Sequence, residues 1–220
     1  MADQTDREAK RRARLETLLA PATTAVLTME LQSGVVGDDA LLPALVDQVR
    51  TAGTIDAAAA VCGAARGAGA RVVHCTAEQR ADGAGATANC TIFVMNERNR
   101  AAGILPLEIG TSGAAVVPEL GPEDGDIVMA RWHGMTPFTS TSLDQMLRNM
   151  GITTLVVTGV SVNLGVIGLC LGAIDLGYQV VLPRDAVAGV PADYAEAVID
   201  NSLAVITTLT TAAEVAAIWS

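Results

Sequence analysis

Three short stretches carry side chains that could act on a small molecule. "MELQ" closes an apolar run and delivers Glu30 and Gln32. "ARWHGMTPF" delivers Arg131, Trp132 and His133. "GVSVNLG", which starts at Gly159, delivers Ser161, Asn163, Leu164 and Gly165, with no cysteine, histidine, carboxylate or lysine among its residues. An acid, a cation, an aromatic and the exposed N–H groups that begin a helix together make an acid–base site with a corner suited to negative charge. A carboxylate after an apolar strand is costly unless paired. Arg131 is its candidate partner, and a purely structural Glu30–Arg131 pair is the alternative reading. His133, beside Gly134, reads either as a site residue or as an ordinary loop histidine. His74 lies inside an apolar run, where a core or wall position is expected.

The elements that must position these residues alternate. An N-terminal helix is expected at 5–19, a buried strand at 23–31, a long alanine-rich helix at 44–69 and a strand at 70–76. Residues 77–123 are irregular and rich in glycine, with one helix near 89–100; such segments often cover a site or form an interface. Strands follow at 125–132, 153–160 and 178–186. Helices are expected at 142–151, 163–177 and 192–204, then a short apolar run at 203–209. Thr211 and Glu214 have the spacing of a capping box for a last helix. Asp56, Asp175 and Asp200 fall on helices and need no role beyond solubility. Strands apolar on both faces, alternating with helices, indicate a mainly parallel sheet covered on both sides, a three-layer α/β/α sandwich of Rossmann-like type. In such sheets ligands lie beyond the carboxyl ends of the strands, where all three stretches fall. One domain over 1–220 is expected, with 1–20 as a helical arm.

The bulk numbers narrow the function. A chain of 220 residues buries roughly 70% of its unfolded surface, so it needs no staple. Its four cysteines, Cys62, Cys75, Cys90 and Cys170, show no CxxC or zinc spacing, and its two histidines are far apart. Free, mostly buried thiols in a reducing compartment follow, with no metal and no cofactor. The net charge of −10 argues against nucleic acid as a partner. The one basic cluster, "REAKRRAR", reads as a solvated helix face or an interface arm. No secretory signal is visible behind it. The apolar run from Leu155 to Ile174 is interrupted by Gly159, Ser161, Asn163 and Gly165, which argues against a membrane span. A cytoplasmic protein is expected.

The stretches "TAVLTMELQSGVVG", "DIVMARWHGMTPFTSTSLDQMLRNMGITTLVVTGVSVNLGV" and "AIDLGYQVVLPRDAVAG" resemble the isochorismatase-like hydrolases, also called the cysteine hydrolase superfamily. The resemblance runs in order from about residue 22 to about 209 and is most specific over 126–187. It implies the parallel sheet described above and a homodimer or homotetramer. It also implies a site. Family amidohydrolases use an Asp–Lys–Cys triad, and the matching positions here hold Glu30, Arg131 and Gly165. Cys170 lies five residues further along the helix, where a buried thiol away from positive charge stays protonated. The isochorismatases proper, which also carry glycine at the cysteine position, cleave a vinyl ether without a nucleophile.

By that resemblance Glu30 is the acid–base residue and Arg131 grips a substrate carboxylate with its planar fork. The N–H groups of Leu164, Gly165 and their neighbours take negative charge. A cis peptide is implied at Val160–Ser161. Substrate-binding roles fall to Gln32, Trp132, His133, Ser161, Asn163 and Leu164. An adjacent arginine favours the charged form of Glu30, whereas a general acid must hold its proton at neutral pH. Either burial outweighs the arginine or Glu30 acts as a base. The reading is a hydrolase without a cysteine nucleophile, acting on a small anionic or carbonyl-containing molecule such as a vinyl ether. The alternative is a non-catalytic binding or scaffolding relative that has lost the triad.

Overall fold

Runs of valine, leucine and threonine build a seven-stranded sheet, and alanine- and glycine-rich segments pack on it. The computed structural model describes residues 2–220, with side chains from Asp6 onward. Met1, expected within the N-terminal arm, lies outside the described residues.

In chain order, α1 (Ala2–Leu18) leads into β1 (Thr24–Met29). Next come α2 (Ser33–Val36), α3 (Pro43–Ala52), α4 (Thr54–Ala68) and β2 (Arg71–Ala77). The irregular segment holds α5 (Thr91–Ala101) and ends at β3 (Ile127–Arg131). Two short helices, α6 (Pro137–Ser140) and α7 (Leu143–Asn149), precede β4 (Thr154–Val160). Then follow α8 (Ile167–Asp175), β5 (Gln179–Pro183), β6 (Val187–Ala188), α9 (Ala192–Val198), α10 (Ala204–Ile206), β7 (Thr208–Thr210) and α11 (Ala212–Trp219).

The strands order as β3-β2-β1-β4-β5-β7, with β6 also pairing with β4, and every pairing is parallel. All residues of β1 and β4 are buried, as a sheet covered on both faces requires. One core lies between the sheet and the helices α1, α3, α4 and α11, around Leu19, Val49, Val61 and Val215. The other lies between the sheet and α6 to α9, around Leu147, Leu155, Leu169 and Ile199. This is the expected three-layer α/β/α architecture. The chain runs outward from β1 through β2 to β3 on one side, then crosses to β4 on the other. The crevice between the carboxyl ends of β1 and β4 is therefore the topological switch point, where ligands bind in such sheets.

Three expected helices differ in detail. The helix expected at 44–69 is two helices that share Gly53 as junction, with φ of 66°. That left-handed turn stops α3 and redirects the chain. The helix expected at 163–177 starts with a π-helical turn over Val162–Val166 before α8. The helix expected at 192–204 likewise passes into a π turn at Ile199–Leu203. The Thr211–Glu214 capping box forms as expected. The basic cluster lies on the exposed face of α1, and Arg11 reaches Glu214 of α11 at 2.6 Å.

Candidate active site

Glu30 is the first residue past β1, and its backbone decides where its carboxylate goes. It has φ of 52° and is the one non-glycine residue with positive φ among the described residues. Its N–H is held by the carbonyl of Cys75 on β2 at 3.0 Å. The left-handed conformation costs about 1–2 kcal/mol in a residue with a side chain, so the surrounding structure must impose it. One source is the neighbouring strand end. Gly159 on β4 has φ of 112°, and a Cβ there would fall 2.1 Å from the Met29 carbonyl oxygen. Only glycine lets β4 approach β1 this closely just before Glu30.

The Glu30 carboxylate meets the guanidinium of Arg131, the last residue of β3, as a direct ion pair. Arg131 also donates through Nε to the Gly134 carbonyl at 3.1 Å and through Nη1 to the Thr76 carbonyl at 3.3 Å. Burial pushes its pKa down to about 10, which leaves it cationic at neutral pH. The two strand tips expected to converge do so.

The pair lies at the edge of a cavity of about 410 Å³. Glu30, Arg131, Trp132 and His133 line one side, and Ser161, Asn163, Leu164 and Gly165 line another. The peptide bond Val160–Ser161 is cis. The Ser161 hydroxyl donates to Oδ1 of Asn163 at 2.7 Å. The remaining wall comes from segments for which sequence reading named no residue: Leu41 and Leu42 ahead of α3, Gln79 and Arg80 after β2, and Phe93 and Arg100 on α5. The irregular stretch 77–123 thus forms a side of the cavity. No motif in it marks these residues; they meet the strand tips only because the segment folds back, with the Gln79 N–H bonded to the Leu107 carbonyl at 2.8 Å.

A profile described as the Isochorismatase domain matches residues 24–214. The chain belongs to the isochorismatase family. Among its relatives, the ureidoacrylate amidohydrolase RutB of Rhizobium rhizogenes is 31% identical over 179 residues, covering 76% of this chain and 71% of that protein. The isochorismatase family protein YwoC of Bacillus subtilis is 37% identical over 83 residues, covering 37% of this chain. The matches to YwoC and to YecD of Escherichia coli O157:H7 span less than half of those proteins, 42% and 47%. A crystal structure of an isochorismatase family protein from Desulfovibrio vulgaris superposes with a TM-score of 0.75 at 27% identity, covering 87% of this chain and 95% of that one.

Within this isochorismatase-family fold, three site expectations need correction. Gln32 does not face the cavity. It is fully buried, its amide donates to the carbonyls of Ala77 and Ala114, and its Oε1 accepts the Ala77 N–H. It ties the end of β1 to the end of β2 and to the returning loop. Arg131 does not offer its fork to a ligand. It is 5% exposed, against 22% for the Glu30 side chain, and its donors point at protein oxygens, so it stands behind Glu30. The Leu164 N–H is not an open donor, because it is bonded to the Ser161 carbonyl at 3.0 Å.

The thiols lie elsewhere. Cys170 is buried, and burial pushes its pKa up to about 12; it does not line the cavity. A Cβ at Gly165 would fall 2.8 Å from Cε of Met29, so a methionine methyl occupies the space a side chain would take. His74 is in the core, as expected, between Thr28 Oγ1 at 2.9 Å and Asp126 Oδ2 at 3.3 Å. Among the described residues, no group of three or more His, Cys, Asp or Glu side chains is arranged to hold a metal ion, and no helix is long and apolar enough to cross a membrane.

Proposed function

We propose that this isochorismatase-family hydrolase works without a cysteine nucleophile, with Glu30 as its acid–base residue and a small carbonyl-bearing molecule as substrate. One observation carries the reading: a carboxylate held in a left-handed backbone conformation, backed by a buried arginine, opens onto the cavity at the switch point. Strained residues kept by their surroundings cluster at functional sites.

The ion pair favours the base over the acid. A guanidinium in contact stabilises the charged carboxylate, so Glu30 enters the reaction unprotonated. It takes a proton from a water molecule as that water attacks the substrate carbonyl, and returns it to the departing group. Arg131 keeps Glu30 ionised and aimed. Gly165, with Met29 filling the space beside it, belongs to the wall of the site. The RutB relative, named as an amidohydrolase, is consistent with a carbonyl substrate.

The test is Glu30→Gln, assayed against a library of small amides, esters and enol ethers with product analysis. The expected result is loss of turnover by a factor of 10² or more with an unchanged circular dichroism spectrum. Parental rates on every accepted substrate would exclude the role. Several polar side chains of the cavity are paired with one another, Arg131 with Glu30, Arg100 with Glu97 and Ser161 with Asn163, which favours a second reading, a relative that binds without turnover. Saturable binding with no product from any library member selects that reading.

The proposal includes self-association. Leu171 and Ile174 on α8, Tyr194 on α9 and Val205 on α10 leave large apolar side chains exposed, the kind of surface that marks protein contacts. Sedimentation velocity on the intact chain decides between monomer and oligomer.

A further inference from the structure

Three carboxylates line the cavity, Glu30, Glu78 and Glu97, and three arginines stand among them, Arg80, Arg100 and Arg131. The numbers match, but the pairing does not. Arg131 is taken by Glu30 and Arg100 by Glu97. Arg80 turns instead to Asp82, which does not line the cavity, through two bonds at 2.9 and 2.6 Å. Glu78 is left over: among the described residues it makes no ion pair, because each guanidinium of the cavity is held by another acid.

Glu78 is nevertheless held in place. It is the first residue past β2, its N–H is bonded to the Arg131 carbonyl at 2.9 Å, and its Oε2 accepts the Trp132 indole N–H at 3.1 Å. A brace for an indole needs only an acceptor, which a neutral glutamine provides equally. A carboxylate adds a charge and about four acceptor sites, and only one of these meets the indole. The surrounding wall exposes apolar side chains, Leu41, Leu42, Ile92 and Leu164, beside which a charge without a counter-ion is unfavourable. Glu78 is half-buried and lines the cavity, so its unused acceptor sites are open to a ligand. Arg80 lies over the Trp132 ring at 5.6 Å, but Asp82 balances its charge, so it does not bar a second cation from Glu78.

We infer that the cavity takes a molecule that carries a nitrogen cation with N–H donors, an ammonium or amidinium group on an apolar body, and that Glu78 is the specificity-determining residue that pairs with it. The inference rests on the reading of this cavity as the reaction site and narrows its substrate: beside the carbonyl attacked at Glu30, the substrate bears a positive group that docks at the tip of β2. An anionic group has no equivalent partner, since all three guanidiniums are engaged.

The chain has two tryptophans, and one of them reports on Glu78 directly. The Trp132 indole N–H is bonded to the Glu78 carboxylate, whereas the Trp219 indole donates to the Leu19 carbonyl and does not line the cavity. In ¹⁵N-labelled full-length protein the two indole N–H signals serve as probe and internal reference, assigned with Trp132→Phe. Three planar ligands of matched shape and different charge are titrated at neutral pH: benzamidine, which is cationic, benzamide, which is neutral, and benzoate. Low ionic strength is used, because salt screens a partly exposed pair. Benzamidine is expected to move the Trp132 signal and to saturate at a concentration about tenfold or more below benzamide, with benzoate weakest. Glu78→Gln, which keeps an acceptor for the indole and removes the charge, is expected to bring benzamidine and benzamide to within about twofold of each other. Glu78→Asp, which keeps the charge, is expected to retain a clear preference for benzamidine. An unmoved Trp219 signal shows that each variant is folded.

Benzamide or benzoate binding as tightly as benzamidine overturns the proposal, as does a Trp132 signal that benzamidine leaves in place. So does a preference for benzamidine that survives Glu78→Gln, or one that Glu78→Asp abolishes as fully as Glu78→Gln. Failure of the hydrolase reading looks different: the selectivity for benzamidine holds while Glu30→Gln leaves every turnover rate unchanged.

Discussion

Arg131 stands behind Glu30, not beside it: the guanidinium is 5% exposed and the carboxylate 22% exposed on the cavity side. The arginine is therefore a support for the acid. It fixes the carboxylate by charge and is itself fixed by the carbonyls of Thr76 and Gly134.

Removing one member of such a pair leaves the other uncompensated. Arg131→Met is expected to cost about 3 kcal/mol in urea unfolding, because it strands a partly buried carboxylate. Glu30→Gln in the same background is expected to recover part of that loss, since the stranded charge is gone. A double variant less stable than Arg131→Met would show that the two side chains do not act as a pair.

Acid sensitivity is expected from the middle of β2. His74 is fully buried, and burial lowers its pKa from the ordinary 6.5, against the raising effect of its bond to Asp126. As pH falls below 6.5 the unfolded chain takes up this proton before the folded one does. The contribution is thus complete above pH 6.5 and declines as pH drops toward the lowered folded value, by at most about 1.4 kcal/mol per pH unit. For Asp126, burial acts to raise the pKa, but the Arg66 guanidinium at 2.7 Å, the Glu123 N–H and His74 together hold it below 3.8. A second loss follows as pH falls below 3.8. His74→Gln should flatten the first slope and leave the second, measured as urea midpoints from pH 8 to pH 3.

Cysteine chemistry offers a separate check. Burial pushes the thiols of Cys62, Cys75 and Cys170 up to about 12, and Cys90 is the exposed one. An aromatic disulfide reagent is expected to titrate one thiol quickly in the folded protein and all four in denaturant. Cys170→Ala is expected to leave any turnover within twofold of the parent. A tenfold loss with intact folding would make the thiol a participant and end the cysteine-free mechanism.

The layers of this fold are legible in the sequence because the apolar runs of β1 and β4 leave no polar face, a pattern that only a doubly covered parallel sheet satisfies. Strand tips then follow, and with them Glu30 and Arg131. The break at Gly53 is not legible. An amphipathic run, "ALVDQVRTA", precedes it and an alanine-rich run follows, and one glycine inside a helix costs only about 1 kcal/mol, so the helical pattern reads straight through. Gln32 misleads for a related reason: a polar residue after an apolar strand suits a ligand and a structural brace equally, and only the positions of Ala77 and Ala114 decide. Gln79 and Phe93 become wall residues through long-range folding that local pattern does not encode.

Two glycines with left-handed backbones separate conformational strain from steric exclusion. At Gly53, with φ of 66°, nothing lies within 4 Å of an added Cβ, so Gly53→Ala is expected to cost about 1–2 kcal/mol, the intrinsic cost of that conformation. At Gly159 the same methyl would strike the Met29 carbonyl oxygen at 2.1 Å and the Met29 nitrogen at 2.7 Å, so β1 and β4 must part. Gly159→Ala is therefore expected to lose more stability than Gly53→Ala and also to disturb the cavity, shifting the Trp132 indole signal where Gly53→Ala leaves it unmoved. Equal stability losses, with the Trp132 signal unchanged in both, would mean that the close approach of the two strands does not hold Glu30 in position.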